Sequence, residues 1–424
     1  MSRVIPRRWS ADASGTARRD RRPCDYEAYV PDPLVGRRIT LDGEIAAEVG
    51  DAEAAIVRLN SEASTLVDTE ALARILLRAE SVASSKIEGL EIGSRRLLRA
   101  EAARNIGEEP SDVTAAEVLG NVDAMAHAIA LVGAGDPITV DLLLSIHQHL
   151  LARSRIAEHG GELREEQNWI GGSDYNPCSA AFVPPPHELV AELMEDLVAF
   201  SNGDSLPAVA QAAMAHAQFE TIHPFIDGNG RTGRTLIHLI LRRRGVATRI
   251  TPPISLVLAT WTKHYIDGLN ATRYRGPATS SAAHDGTNLW IGRFAAAATR
   301  AVADAASFEQ RALAIEQEWR ERLGRIRRNS AADLLLKALI GAPGLTVSGA
   351  AELIDRSFVQ TNEAVFRLAE ANILRQVNFG RRNRAYEAPD VIDAFTDLER
   401  QLASPEGDTR TSKPSRRIPA RPQR

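Results

Sequence analysis

Apolar side chains recur every three to four residues through most of the chain, the period of helices with one buried face. Ile45, Val49, Ala52, Ile56 and Leu59 mark a first helix, after a lead-in punctuated by Pro31, Pro33 and Gly36. Leu72, Ile75, Leu76, Ala79, Val82, Ala83 and Ile87 mark a second, with Asp68 as its expected N-cap and Gly89 as its stop. Arg95, Arg96, Arg99 and Glu101 predict a solvated helix face, which Gly and Pro between 106 and 111 bring to an end. Val118, Val122, Met125 and Ile129 predict the next helix, and Ile138 to Leu151 another. Pro207 to Ile222 reads as a buried helix, and Leu236, Ile237, Leu239, Ile240 and Leu241 as a further one that starts at Arg231. A helix from Ile254 through Tyr265 to Leu269, and a long one from Leu289 past Trp319, complete this set. Two short runs break the period: Asn168-Trp169-Ile170 and Ala181-Phe182-Val183 flank a Gly-rich tip and predict a hairpin.

From residue 330 the order changes. Leu334, Leu335, Leu336 and Leu339 predict one helix, Val347 to Ile354 a second, and Ser357 to Ala371 a third that opens with a Ser357/Gln360 capping box. Two strands follow, around a basic turn with Arg381, Arg382 and Arg384. This order resembles a winged helix, which would set Gln360, Thr361, Asn362 and Arg367 in a DNA major groove and the wing on phosphates. The net charge of −4 makes a protein contact or homodimer through the same module an equal reading.

Composition adds limits. The 424 residues, 44% hydrophobic and 25% charged, leave room for two or three domains with ample cores. No apolar run is long enough for a membrane span, and the Arg-rich start lacks the apolar core of a signal peptide, so no membrane partner and a cytoplasmic location are expected. Cys24 and Cys178 are expected as free thiols there. Lysine occurs only at positions 86, 263, 337 and 413, so arginine must carry any anion binding elsewhere.

The chemistry concentrates in His223-Pro224-Phe225-Ile226-Asp227-Gly228-Asn229-Gly230-Arg231-Thr232-Gly233-Arg234. Glycines can turn backbone N–H groups inward, and a helix N-terminus adds its positive pole, so the stretch suits phosphate. Arg231 and Arg234 oppose that pole and need an anionic partner. Asp227 is a hard oxygen ligand suited to Mg2+. His223 is a general-base candidate. Gly228 to Thr235 also approaches the phosphate loop of NTPases, but that loop follows a strand and takes lysine where Arg234 stands. A surface turn that happens to be rich in Gly and Arg would not account for the Pro224-Phe225 anchor. His147 and His149, two apart, cannot share a metal from one helix face. They read as core or surface histidines, and His216 as a packed one.

At these residues the chain resembles the Fic family, whose signature H-P-F-x-D/E-G-N-G/K-R-x-x-R is filled at every position. The resemblance implies a helical fold that transfers AMP from ATP to a Ser, Thr or Tyr hydroxyl of a target protein. His223 would be the base and Asp227 the magnesium ligand; Gly228, Asn229 and Gly230 would line the phosphate site, while Arg231 and Arg234 grip the β and γ phosphates beside Gly233. Ser84-x-x-x-Glu88-Gly89 fits the family's inhibitory motif, in which Glu88 would occupy Arg234. A carboxylate at a helix C-terminus is disfavoured by about 0.3 to 1 kcal/mol, so Glu88 calls for a partner; an exposed helix end is the plainer alternative. The hairpin carrying Trp169, Ile170, Gly171, Phe182 and Val183 matches the family's flap, which could register a target strand by edge pairing or could be structural only. Tyr265 could face adenine or belong to the core. Tyr175 is a candidate for self-modification.

The expected fold class is therefore all-α, a Fic core with a small hairpin flap and a winged-helix domain. The expected domains are a disordered tail at 1–24, an inhibitory helical region at 25–115, the catalytic core at 116–300, a connector at 301–329, the winged helix at 330–395 and a second disordered tail at 396–424. The alternative functions are a DNA-binding regulator with a nucleotide-sensing core, and removal of AMP or transfer of another phosphate-bearing group by the same site.

Overall fold

A computed structural model of the protein describes residues 1–10, 20–62, 69–105, 110–379 and 383–402. Asp68, residues 106–109, Arg381, Arg382 and the residues from 403 lie outside them. In chain order the elements are β1 (Arg3–Trp9), β2 (Cys24–Val30), α1 (Gly43–Glu62), α2 (Thr69–Ile87), α3 (Ser94–Asn105), α4 (Val113–Leu131), α5 (Val140–Leu151), α6 (Val190–Ser201), α7 (Ala208–Ile222), α8 (Asn229–Arg243), α9 (Ile254–Thr260), α10 (Thr262–Ala271), α11 (Ser281–Leu323), α12 (Ala331–Gly341), β3 (Gly344–Thr346), α13 (Val347–Leu353), α14 (Phe358–Glu370), β4 (Arg375–Phe379), β5 (Asn383–Glu387) and α15 (Pro389–Leu402). Helices carry the fold, as expected. The chain divides into two compact units: Met1–Val57, Gly120–Thr248 and Lys263–Thr299 form the first, and Arg58–Leu119, Arg249–Thr262 and Arg300–Arg424 the second.

The first unit is built around α7. Every residue of this helix is buried, as befits a helix without a polar face. It packs on α8 and α6, and α5 packs on α8. Trp290 of α11 fills the space beside it, its indole N–H donating to Ala213 O at 2.7 Å. Gly233 allows the close approach of α8: a Cβ there would come within 2.8 Å of Glu220 Oε1 and of Phe219 Cδ1.

Three expectations fail among the described residues. Residues 3–9, expected to be disordered, pair antiparallel with β2 over a full register from Arg3↔Val30 to Trp9↔Cys24. Carboxylates meet their arginines, with Arg7 at 3.3 Å from Glu188 and Arg8 at 3.6 Å from Asp25, so a basic segment can stay ordered. Cys24 and Cys178, expected as free thiols, form a disulfide with Cα atoms 5.8 Å apart, because β1–β2 lies along the hairpin that holds Cys178. The expected helix from Ile254 to Leu269 is two helices, broken at Trp261.

In the second unit α2 packs on α9 and α12. Its buried Glu80 accepts from the Ser255 N–H at 2.7 Å and from the Ser255 hydroxyl, which satisfies a carboxylate inside the core. The C-terminal module runs α12, β3, α13, α14, β4, β5, with strand order β3-β5-β4 and Ser330, Thr346 and Ser357 capping its three helices. β3, only three residues long, was not predicted. α15 carries the ordered chain past 395 to Leu402.

Candidate active site

The loop between α7 and α8 is held in a conformation that ordinary side chains resist. His223 ends α7 in the left-handed region, φ 50° and ψ 61°, with its N–H returned to Phe219 O. Gly228 opens α8 at φ 77°, where a Cβ would also press on Leu150 and His147. The first helical bond runs from Thr232 N–H to Gly228 O at 3.0 Å. The N–H groups of residues 229–231 therefore lie ahead of it, at the positive pole of the helix.

Side chains fix each part of the loop. Asn229 Oδ1 accepts from Phe225 N–H and its Nδ2 donates to Phe225 O, both at 2.8 Å. Its amide thus shapes the loop, and phosphate contact is left to the backbone. Phe225 is fully buried and stacks on His147 with ring centroids 3.7 Å apart. His147 Nδ1 accepts from Gly161 N–H at 3.0 Å, so Nε2 carries the proton that it donates to Asp227 O at 2.9 Å. Burial pushes this imidazole down to about 4, which keeps it neutral and the tautomer fixed.

Arg164 is the other buttress. It is buried, and its guanidinium donates to the carbonyls of His223 at 2.9 Å, Glu166 at 2.9 Å and Pro185 at 2.6 Å. Its own N–H reaches Pro224 O at 2.9 Å. Asn168 Nδ2 adds bonds to His223 O at 3.1 Å and Phe225 O at 3.0 Å. One end of the hairpin and the His223 loop are thereby a single hydrogen-bonded piece. Desolvation lowers Arg164 to about 10, still far above neutrality.

The charged members face the helix N-terminus in different ways. Asp227 is 55% exposed at the mouth of the loop, 3.4 Å from Arg231. Arg231 is only 5% exposed, and its Nε is buried with no hydrogen-bond partner among the described residues. A buried cation at a positive pole with donor capacity to spare is a site for an anion. Arg234, 1% exposed on α8, lies near His216, whose imidazole is pushed down to about 3 by burial first and by the Arg234 charge next.

Other predicted residues fall elsewhere. Tyr265 is 5% exposed and its hydroxyl lies 2.9 Å from His216 Nε2, so its ring has too little open surface for a base to stack on; it belongs to the core with Trp290. The hairpin is thinner than expected. Ile170↔Phe182 bridges its arms and Ser173↔Asn176 its tip, with Trp169, Gly171 and Val183 beside the first. Tyr175 is half-buried, its N–H held by Ser173 Oγ at 3.3 Å. Glu88 and Gly89 belong to the second unit. Gly89 N–H bonds Lys86 O and Leu90 N–H bonds Ser85 O, a Schellman end at φ 83° that leaves Glu88 exposed while Ser84 is buried.

His147, Arg164 and Asn168 were not singled out as site residues. His147 follows α5's apolar period and Arg164 follows Gly160-Gly161, but neither pattern shows which loop the side chain supports.

Residues 137–241 match the model of the Fic/DOC family and residues 46–130 that of the Fic/DOC family N-terminal region. Among curated proteins it is 33% identical to "Protein adenylyltransferase fic-1" of Caenorhabditis elegans over 133 residues, 31% of this chain and 23% of that protein. It is 36% identical to "Protein adenylyltransferase Fic" of Drosophila willistoni over 152 residues, 35% and 28% of the two chains. The chain thus spans about a quarter of the length of these relatives. Its fold is like that of a Fic family protein from Desulfovibrio desulfuricans G20, with TM-score 0.50 and 21% identity, covering 82% of this chain and 97% of that one.

Proposed function

We propose that the protein is a nucleotidyltransferase that moves AMP from ATP to a hydroxyl of a protein, with itself as one available target. The observation that carries this reading is the N-terminus of α8, where a glycine-turned backbone and the buried Arg231 stand together at the positive helix pole, a setting suited to phosphate. His223 takes the proton of the target hydroxyl, whose oxygen attacks the α phosphorus, and pyrophosphate leaves. Residues 228–231 hold the phosphates through the backbone, Gly233 lets α8 pack closely on α7, and Arg231 and Arg234 balance charge on the leaving group. The exposed carboxylate of Asp227 at the loop mouth suits Mg2+, which would supply further neutralisation of phosphate charge. Arg164, His147 and Asn168 bind nothing; they keep His223 and the loop in place.

Glu88 is proposed as an internal inhibitor that takes Arg234 from the γ phosphate. The relatives' printed names support AMP addition over its removal. No helix among the described residues is long and apolar enough to cross a membrane. A cytoplasmic setting is proposed, where reducing thiols would act on Cys24–Cys178. Labelling with α-labelled ATP tests the reading: label should enter protein with Glu88→Gly and be lost with His223→Ala.

A second reading concerns the C-terminal module, whose element order supports a winged helix. Arg327, Arg328, Arg356 and Arg367 line a cavity of about 610 Å³ beside the capped start of α12 and one face of α14. Such a basic cleft suits a nucleic-acid backbone. Retardation of a duplex, weakened by salt and by Arg327→Ala with Arg328→Ala, supports it. α14 also exposes Phe358, Val359 and Phe366, which suit a homodimer contact; sedimentation of the same variants separates the two.

A further inference from the structure

The hairpin at 168–183 is tied to the N-terminal segment at both ends of one arm. At the near end Tyr29 N–H donates to Val183 O at 2.9 Å. At the far end Cys24 is bonded to Cys178, across 154 residues of chain. Between these ties the two segments stand apart around a cavity of about 440 Å³, lined by Tyr26, Glu27, Ala181, Phe182 and Arg273 among others. The tip has smaller ties. Asp20 accepts from Ser173 Oγ through its carboxylate and from Asn176 Nδ2 through its carbonyl, both at 2.9 Å. Trp9 meets Trp169 edge to face, ring centroids 5.3 Å apart.

The hydrogen-bond directions show which edge of the hairpin this segment covers. Phe182 exchanges its N–H and C=O with Ile170, so both point to the first arm. The next residue, Val183, points the other way, as alternation along a strand requires, and there its carbonyl meets β2. The outer edge of the second arm is thus met by the chain's own strand. Between Tyr29 and Cys24 the ladder does not zip, so the disulfide is the covalent hold on the distal half.

We propose that the β1–β2 hairpin is a strap on the flap, latched by Cys24–Cys178, and that reduction of the latch by a dithiol loosens the flap and slows transfer to protein. The effect on transfer rests on the reading of the flap as the target-docking element; the latch itself does not. Cys178 is the more exposed residue of the pair and Cys24 is half-buried. A dithiol's thiolate attacks the Cys178 sulfur and the Cys24 thiolate leaves and takes a proton. The reagent's second thiolate then displaces Cys178, which is protonated in turn. Two electrons and two protons pass to the protein and the dithiol closes to its own disulfide.

The test compares hydrogen exchange of residues 168–183 in oxidised full-length protein, in the same protein after dithiothreitol, and in Cys178→Ser without reductant. The expected result is a linked Cys24–Cys178 peptide in the first sample, and exchange at 168–183 faster by about tenfold or more in the other two, with α8 unchanged. Self-labelling of Glu88→Gly from α-labelled ATP, run on the same samples, should fall with the latch open. Exchange at 168–183 that ignores the latch, or two alkylatable thiols after diamide oxidation, would overturn the proposal. Absence of label in every sample would count against the transferase reading, while the exchange comparison still decides the latch.

Discussion

The N-terminus of α8 and the C-terminus of α2 make the same electrostatic choice in opposite sign. Arg231 and Arg234 stand near a positive helix pole, and Glu88 stands at a negative one. Each placement costs about 0.3 to 1 kcal/mol against the reverse. The two differ in what surrounds the charge. The arginines are buried among α7, α8 and the loop that His147, Arg164 and Asn168 hold. Glu88 is exposed at a helix end closed by the Gly89 and Leu90 backbone bonds. The buried charges stand in a loop braced on several sides, whereas the exposed one stands at a helix end facing solvent.

Substitutions should separate the two ends. Arg234→Ala removes the charge proposed to act on the transferring phosphates, and transfer measured in the Glu88→Gly background should fall by about a hundredfold to a thousandfold. Acid should act on the buried end through His147. His147 is held down to about 4 in the folded chain against 6.5 when unfolded, so it contributes stability that is complete above pH 6.5 and is lost as pH falls toward 4. That contribution is about 3 kcal/mol, and His147→Gln should flatten this part of the pH dependence of urea unfolding.

Glu88→Gly should raise transfer by about a hundredfold, or about 2.7 kcal/mol, if it empties a closed state populated at about 99%. Its midpoint of urea unfolding should shift by less than about 0.5 kcal/mol equivalent, the range of exposed positions. Gly233→Ala should cost about 1 to 3 kcal/mol of stability, because the added methyl meets Glu220 and Phe219 at 2.8 Å. The corresponding change at the exposed end, Lys86→Ala, should leave stability nearly unchanged.

Much of this was legible in the sequence because helices announce themselves by period. α1, α2, α5, α7, α8 and α11 stand where the apolar spacing puts them, and the capping of α14 by Ser357 was visible as Ser followed by Gln three residues on. α6 obeys the same rule with Val190, Leu193, Met194 and Leu197, but it follows directly on Pro184 to Pro186, where the chain reads as hairpin base. The basic start of the chain misled for a physical reason. Arg7 and Arg8 look solvated in sequence, and only the fold brings Glu188 and Asp25 to them.

The site divides in the same way. Loop residues 223–234 are contiguous, so their chemistry can be read directly. Arg164 and His147 act on the loop from 59 and 80 residues away, through carbonyl oxygens that have no sequence signature. Tyr265 shows the converse, since an aromatic at a helical position carries no mark of whether its face meets ligand or, as here, His216 and Trp290.

The most direct test of AMP transfer at the α8 loop under control by Glu88 uses one assay with α-labelled and γ-labelled ATP. Wild type, Glu88→Gly and Glu88→Gly with His223→Ala would be compared, each offered itself as target. Incorporation of α label but not γ label by Glu88→Gly, with little in wild type and none in the double variant, is the predicted result. Incorporation of γ label alone, or α label undiminished by His223→Ala, would contradict it.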